Sequence, residues 1–531
     1  MKNHIAKILT LFIFLNTACK KINDNPQWDI EVLGPVLFAT LTLDELLADT
    51  LRQNNADGTV SILAEHSFYD FNIDSIYNIP DTTIDNVVVW PIFSTSITAG
   101  TPFYSTDNKI ALGVGAVKLT KALMQKGNIQ IQLKNTLPVK VIYTYSIPKA
   151  KKAGVVFSFV QEVQAADANG PGIYSGSYDL AGYELDLTGV NGNLFNTISY
   201  NVEAQSDPSG NAFTINLNDT VINLKSELSD LEPVYVKGYL GQNSIAENSF
   251  STTGLARFIE DGFIQLDSVT MDITLKNFIG ADAQFFFRSL GAYNSRTNTS
   301  VSLSAPSFLN RSLNVNRARE SGPVPSPVIS SNHLYHLDNS NSNLRSFVEN
   351  LPERIVYNAD LTLNPLGNIS FYNDFLYSDK LVDAKLSLKM PFRFAANNLT
   401  LVDTQNVSLD ALTDLDPIGP LTLTLIAKNG FPVNFNIHLY ILDENKILKD
   451  SILIPGFIRS ANVNQQYDVI SSTTTKFEIP IDENRKENFR TGKYIAIRTI
   501  FNTPDYAQLI QLRSDHKLDL KLIANGTYYI R

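Results

Sequence analysis

The chain has 531 residues, a formal charge of −10 and a single cysteine, Cys19. That length accommodates several hydrophobic cores. An acidic surface without clustered Lys and Arg argues against nucleic acid as a partner, and one thiol leaves no intrachain disulfide, so burial must stabilise the fold.

Met1–Ala18 opens with Lys2 and Lys7, continues as the apolar run Ile8–Leu15, and ends on the small residues Thr17 and Ala18. The run is far shorter than the roughly 20 residues a helix needs to cross a bilayer, and with its basic start it reads as a cleaved secretory signal. Cys19 directly behind it gives the layout of a bacterial lipoprotein leader, in which the cysteine is acylated and becomes the mature N-terminus. Asn16 departs from that pattern, because an aliphatic residue usually stands three places before the cysteine. Each buried CH₂ contributes about 0.8 kcal/mol and one acyl chain holds only reversibly; the three chains of a mature lipoprotein would anchor durably. Lys20 and Lys21 fall at headgroup level, where each cation adds up to about 1 kcal/mol. The expected partner is a membrane, reached through lipid on Cys19. The alternative is a secreted protein with a free thiol.

Lys20–Gln27 is polar, contains Pro26 and reads as a short flexible tether. Beyond it, apolar and polar residues alternate in runs broken by Asn, Asp, Gly and Pro, as in Asn128–Lys134, Leu421–Lys428 and Lys517–Ile523. Period-two alternation predicts strands with one buried face. Helical candidates are few: Leu41–Gln53 and a turn beginning at Phe347 before Pro352. Three places share a strand, Lys-Asn, a turn and a second strand, with the asparagines at Asn135, Asn277 and Asn429; Asn364 begins a looser fourth copy. Asparagine ends a strand well because its side chain bonds its own backbone. Shared turn chemistry explains the repeats as well as duplication does. The expected fold is mainly β, with tandem sandwich-like, immunoglobulin-like domains and few short helices. Boundaries are expected to give a leader over 1–18, the tether over 19–27, β domains over 28–165 and 166–320, a linker with a β segment over 321–400, and a C-terminal sandwich over 401–531.

Residues with catalytic potential are scattered. His333 and His336 lie three apart, which converges on one ion only in a helix, and their Ser/Asn-rich flanks read as loop. His66, His438 and His516 stand alone. Asp410, Asp414 and Asp416, and Asp167 with Asn169, have turn chemistry rather than a Ca²⁺ loop. No Gly-x-Ser-x-Gly or phosphate loop occurs, and a paired-carboxylate hydrolase is defined only in space. No catalytic residue, metal ligand or cofactor is assigned.

The strand–Asn–x–x–Pro/Gly–strand unit resembles the Asn-Pro hallmark of desiccation-type sandwich domains. The leader end NTAC, the following Lys-Lys, the opening WDIEVLGPVLFATLTLDELL and the segments Val234–Gln242 and Asn341–Pro365 resemble Bacteroidota outer-membrane lipoproteins of unassigned function. Asp-Ser/Thr-aliphatic or -Thr tripeptides are similar to that phylum's O-glycosylation acceptor, which would place sugars on Thr50, Ser75, Thr82, Thr220, Ser268 and Ser451; a turn entering a strand explains the same tripeptides. The resemblance implies a lipid-anchored envelope protein, a non-enzymatic scaffold that binds another envelope protein or serves an outer-membrane complex. It leaves the membrane leaflet open, since Asp24 stands alone where surface-exported relatives carry an acidic run. A glycan-binding module is the second reading, with Tyr143/Tyr145 or Phe285/Phe287 as candidate pairs, although aromatic residues more often fill sheet cores. A hydrolase with an unrecognised carboxylate pair is the third. A membrane barrel is disfavoured, because repeated lipid-facing strands of about 9–11 residues are not evident.

Overall fold

The computed structural model describes residues 28–43, 52–67, 76–252, 259–401, 407–408, 418–506 and 508–530. Cys19, Thr50, Ser75 and the Asp410–Asp416 cluster lie outside them. Alternation in the sequence becomes strands with one face inward: Asn434–Leu442 and Thr270–Asn277 alternate buried and half-buried positions without a break. The protein is mainly β and sandwich-like, as its patterning predicts. Two short helices are present among the described residues, α1 (Leu344–Glu349) and α2 (Glu483–Thr491). Helix α1 starts three residues before Phe347 and ends ahead of Pro352. Of the expected helix Leu41–Gln53, Leu41, Thr42, Arg52 and Gln53 are strand, Leu43 is helical, and residues 44–51 lie outside the described residues. No described helix is long and apolar enough to cross a membrane.

The antiparallel strands form three sandwiches. In the first, one layer runs Thr82–Val89, Thr220–Tyr239, Lys118–Asn135, Gly172–Asp179, and the other Pro102–Ala111, Thr197–Ser206, Val141–Lys152, Val155–Val163. The short strand Glu184–Asp186 pairs with both layers and joins them. Buried Tyr143 crosses the core, its hydroxyl donating to the Val221 carbonyl at 3.4 Å.

The second sandwich sets Val60–Ser67, Val382–Pro391, Thr270–Asn277 and Ser331–Leu337 against Ser244–Thr252, Arg354–Leu363 and Ala283–Asn294. Phe308 bridges Phe287 and Tyr335, with ring centroids 4.8 and 5.5 Å apart. The third sets Trp28–Thr42, Lys517–Ile530, Ile418–Asn429 and Thr473–Ile481 against Ile259–Leu266, Arg393–Leu401, Tyr494–Asn502, Asn434–Leu442 and Leu448–Leu453. The sandwiches are interleaved along the chain. Trp28–Thr42 pairs with Lys517–Ile530 from Trp28↔Ile530 to Thr42↔Lys517, while the strands between them build the other two sandwiches and return.

Each sandwich contains the same three-strand unit, and a fully buried asparagine organises it. Asn135 ends Lys118–Asn135: its Oδ1 accepts from Leu137 N–H at 3.0 Å, and its Nδ2 donates to the carbonyls of Val139 at 2.7 Å and Gln164 at 2.9 Å. Asn277 repeats this with Ile279 N–H, Ala281 and Asn316 at 2.9, 2.8 and 3.0 Å. Asn429 does so with Phe431 N–H, Val433 and Arg459, all at 2.8 Å. The first bond closes a turn, the second starts the next strand in the opposite layer, and the third holds the chain leaving the strand after that. Asn364 departs from the pattern. Its backbone is left-handed, with φ +47°, and its Nδ2 donates to the Gly241 carbonyl and to Asp374.

Candidate functional site

Asn364 opens a loop, Asn364–Asn373, that leaves the second sandwich and returns as Asp374–Tyr377, a strand paired with Tyr235–Gly238 of the first. Asp374 anchors it. Its side chain is fully buried and accepts from Leu240 N–H at 3.1 Å and Asn364 Nδ2 at 2.7 Å. Arg317 faces it at 3.6 Å and also reaches Asp282 at 3.1 Å. Both hydrogen bonds fall on Oδ2, while the buried Oδ1 has only the Arg317 charge opposite it and no hydrogen bond; losing Oδ2 would orphan a buried N–H.

Inside the loop the backbone is strained and fastened. Phe371 and Tyr372 are consecutive left-handed residues with φ +52° and +65°, a conformation costing roughly 1–2 kcal/mol for each non-glycine residue. Asn368 Oδ1 accepts from Tyr372 N–H at 3.0 Å, and Asn373 Nδ2 donates to the carbonyls of Ser370 and Phe371, both at 3.1 Å. The Tyr372 ring packs on Phe195 of the first sandwich at 4.5 Å, and Lys118 Nζ lies 5.7 and 6.0 Å from the Phe195 and Tyr372 centroids. Leu366, Ile369 and Phe371 are left facing solvent, 76%, 49% and 80% exposed. Residues 364–373 carry no charge. A fixed apolar tip of this kind is typical of interaction sites, where strain is held by surrounding contacts.

Beneath the loop, Tyr235 and Tyr377 pack at 4.8 Å, and Ser326 N–H donates to the Tyr377 hydroxyl. Burial raises the pKa of both phenols, and the nearby Glu320 carboxylate adds to the shift. These groups seal the seam between two sandwiches.

A cleft of about 490 Å³ lies on the third sandwich beside His516. It is open and lined by both signs of charge, including Lys428, Arg513, Asp468 and Asp515. The His516 ring rests on Phe431 at 5.7 Å, and its Nδ1 accepts from Arg513 N–H at 3.3 Å. Burial holds its pKa below the usual histidine value. These contacts give the ring a packing role.

The residues singled out in the sequence are dispersed. Tyr143, Tyr145, Phe285 and Phe287 are all buried, so neither pair offers a platform for sugar. His333 and His336 lie in a strand rather than a loop. His336 meets Asp272 at 2.6 Å, and the His333 ring lies tilted against Tyr335 at 4.5 Å. No group of three or more His, Cys, Asp or Glu among the described residues could hold a metal. Asp167 accepts from Asn169 N–H at 2.7 Å, closing a turn. Thr82, Thr220 and Ser268 are half-buried at or just before strand starts, and Ser451 is exposed within Leu448–Leu453. The apolar loop was not singled out from the sequence. Its ten uncharged residues around Pro365 and Gly367 were the available signal.

No family model matches the chain, and no curated protein matches it. A solved structure from Parabacteroides distasonis, described as a "putative secreted protein", aligns at 17% identity and a TM-score of 0.28, covering 53% of this chain and 82% of that one. A peptide-N(4)-(N-acetyl-β-D-glucosaminyl) asparagine amidase aligns at 11% identity and a TM-score of 0.12, covering 58% of this chain and 96% of that one. At such scores neither likeness carries a fold or an activity to this protein.

Proposed function

We propose that this protein is a lipid-anchored component of the cell envelope that binds another envelope protein through the Asn364–Asn373 loop. The observation that supports the reading is the fastened apolar tip, Leu366, Ile369 and Phe371, set at the seam of two sandwiches. A loop already held in its bound shape loses little conformational entropy on binding. Its occupant is read as a protein pocket rather than a lipid surface. Loops that dock on anionic bilayers carry Lys or Arg at the apolar tip, whereas residues 364–373 contain none and Lys118 lies against the Tyr372 ring rather than among Leu366, Ile369 and Phe371. Acylation of Cys19 would keep the protein beside its partner.

The test is co-purification from detergent-solubilised envelopes, comparing the full chain with Leu366→Ser/Phe371→Ser. The reading predicts a partner of fixed stoichiometry with the native chain, lost from the variant while its melting temperature is unchanged. Recovery of the native chain alone in every detergent refutes it. Mass spectrometry of the purified N-terminus tests the anchor, which a bare Cys19 thiol would exclude.

A further inference from the structure

The first sandwich has two lateral openings, and they are built differently. On one side Val155–Val163 faces Gly172–Asp179, and aromatic rings fill the gap. Phe159 stacks on Tyr178 at 4.4 Å, Phe157 meets Tyr178 at 5.8 Å, and the Tyr174 and Tyr178 hydroxyls are 2.8 Å apart. On the other side Thr82–Val89 faces Pro102–Ala111, and no such plug is present among the described residues. Instead a cleft of about 410 Å³ lies between the two strands, lined by Ile84, Asn86, Asn108 and Tyr200.

Three observations indicate what the cleft takes. Thr82–Val89 pairs only with Thr220–Tyr239, and Pro102–Ala111 only with Thr197–Ser206, so each strand leaves an outer edge of main-chain donors and acceptors unused among the described residues. Such edges are templates for an added strand. The Nδ2 atoms of Asn86 and Asn108 are buried and have no hydrogen-bond partner. Asn86 lies beside the Tyr200 hydroxyl, where it offsets part of the rise that burial gives that phenol's pKa. A buried amide donor left unpaired costs about 1–3 kcal/mol, and a peptide carbonyl is its natural acceptor. Lastly, Val87 and Val89 stand exposed on the same edge strand, next to Asp85, and Asp107 faces out from the opposite strand with Lys109.

We propose that this opening is a strand-accepting site. An extended peptide of a partner protein adds to the edge of Thr82–Val89, its carbonyls accepting from Asn86 and Asn108. Its alternate side chains are β-branched or apolar where they meet Val87 and Val89, and neutral or basic where they meet Asp85 and Asp107. A sugar is the other polar ligand such a cleft admits, but sugar sites need an aromatic face. Tyr200, the one ring in the lining, is 2% exposed and stacked on Tyr145 at 5.3 Å. The proposal is independent of the Asn364–Asn373 loop.

The experiment is selection of random 12-residue displayed peptides on the full chain, with counter-selection on Asn86→Leu/Asn108→Leu. The donors are already unpaired, so the variant should keep or raise the melting temperature while binding the enriched synthetic peptide at least 10-fold more weakly. Hydrogen exchange should show Thr82–Val89 protected by the peptide and Val155–Val163 unchanged. Leu366→Ser/Phe371→Ser should bind the peptide normally, which separates failure of this site from failure of the loop. Three results overturn the proposal: no peptide enriched over the counter-selected variant, protection elsewhere than Thr82–Val89, or binding on a glycan array that the Asn86→Leu/Asn108→Leu variant abolishes.

Discussion

Replacing Asn429 with alanine should unfold the third sandwich preferentially. The side chain makes three bonds in a fully buried position, to Phe431 N–H and the carbonyls of Val433 and Arg459, each at 2.8 Å. Alanine leaves a buried donor, the buried Val433 carbonyl and the partly exposed Arg459 carbonyl without this partner, and each buried group costs about 1–3 kcal/mol. The two acceptors are carbonyls, which tolerate partial satisfaction better than an N–H, and a water entering the space would recover part of the loss. A net destabilisation of about 3–5 kcal/mol is expected. Three sandwiches do not melt as one two-state unit, so the readout is hydrogen exchange resolved by peptide. Ile418–Asn429 and Asn434–Leu442 should lose protection while Lys118–Asn135 keeps it. Asn135→Ala should show the converse, and Asn277→Ala should act on the second sandwich. A loss below about 1 kcal/mol, or loss spread evenly over all three sandwiches, would refute the claim that each asparagine organises its own unit.

Three other outcomes follow from described geometry. Burial lowers the pKa of His66, His438 and His516 below 6.5. The unfolded chain therefore takes up protons first as pH falls, and stability should be flat above about pH 7 and decline below about 6.5; His66→Gln/His438→Gln/His516→Gln should flatten the melting temperature between pH 7 and 5. Asp374→Ala removes the acceptor shared by Leu240 N–H and Asn364 Nδ2, while Arg317 keeps Asp282, and should cost about 2–4 kcal/mol, seen as faster proteolysis within 364–373. Gly238→Ala would place Cβ 2.1 Å from the Lys118 carbonyl, whereas Gly34→Ala meets nothing within 4 Å. Differential scanning calorimetry should show a much larger fall for the former.

Local chemistry was legible in the sequence and long-range pairing was not. Lys-Asn before a turn encodes its own hydrogen bonds within five residues, so Asn135, Asn277 and Asn429 are recognisable as equivalent from their neighbours in the chain alone. Alternation in segments such as Leu421–Lys428 was legible for the same reason, since one buried face imposes period two. Helix α2 gave no stripe to read because Phe489 is its one buried apolar residue; only the Asp482 cap, accepting from Arg485 N–H at 2.9 Å, marks its start. The Asn364 copy looked like the others and behaves differently because its Nδ2 is captured by Asp374, ten residues on. The lateral cleft was invisible because it depends on which strands become edges, a property of the assembled sheets.

The pairing of Trp28–Thr42 with Lys517–Ile530 sets an order of events at birth. At about 5–20 residues per second, a ribosome needs roughly 25–95 s to make the second strand after the first has emerged. Through that interval the early strand, with Leu33 and Phe38 on its exposed positions, lacks the one strand it pairs with among the described residues. The third sandwich is thus completed last although its first strand is made earliest, and a holdase that shields the nascent N-terminal segment would raise the yield of folded protein more than one acting on any later stretch.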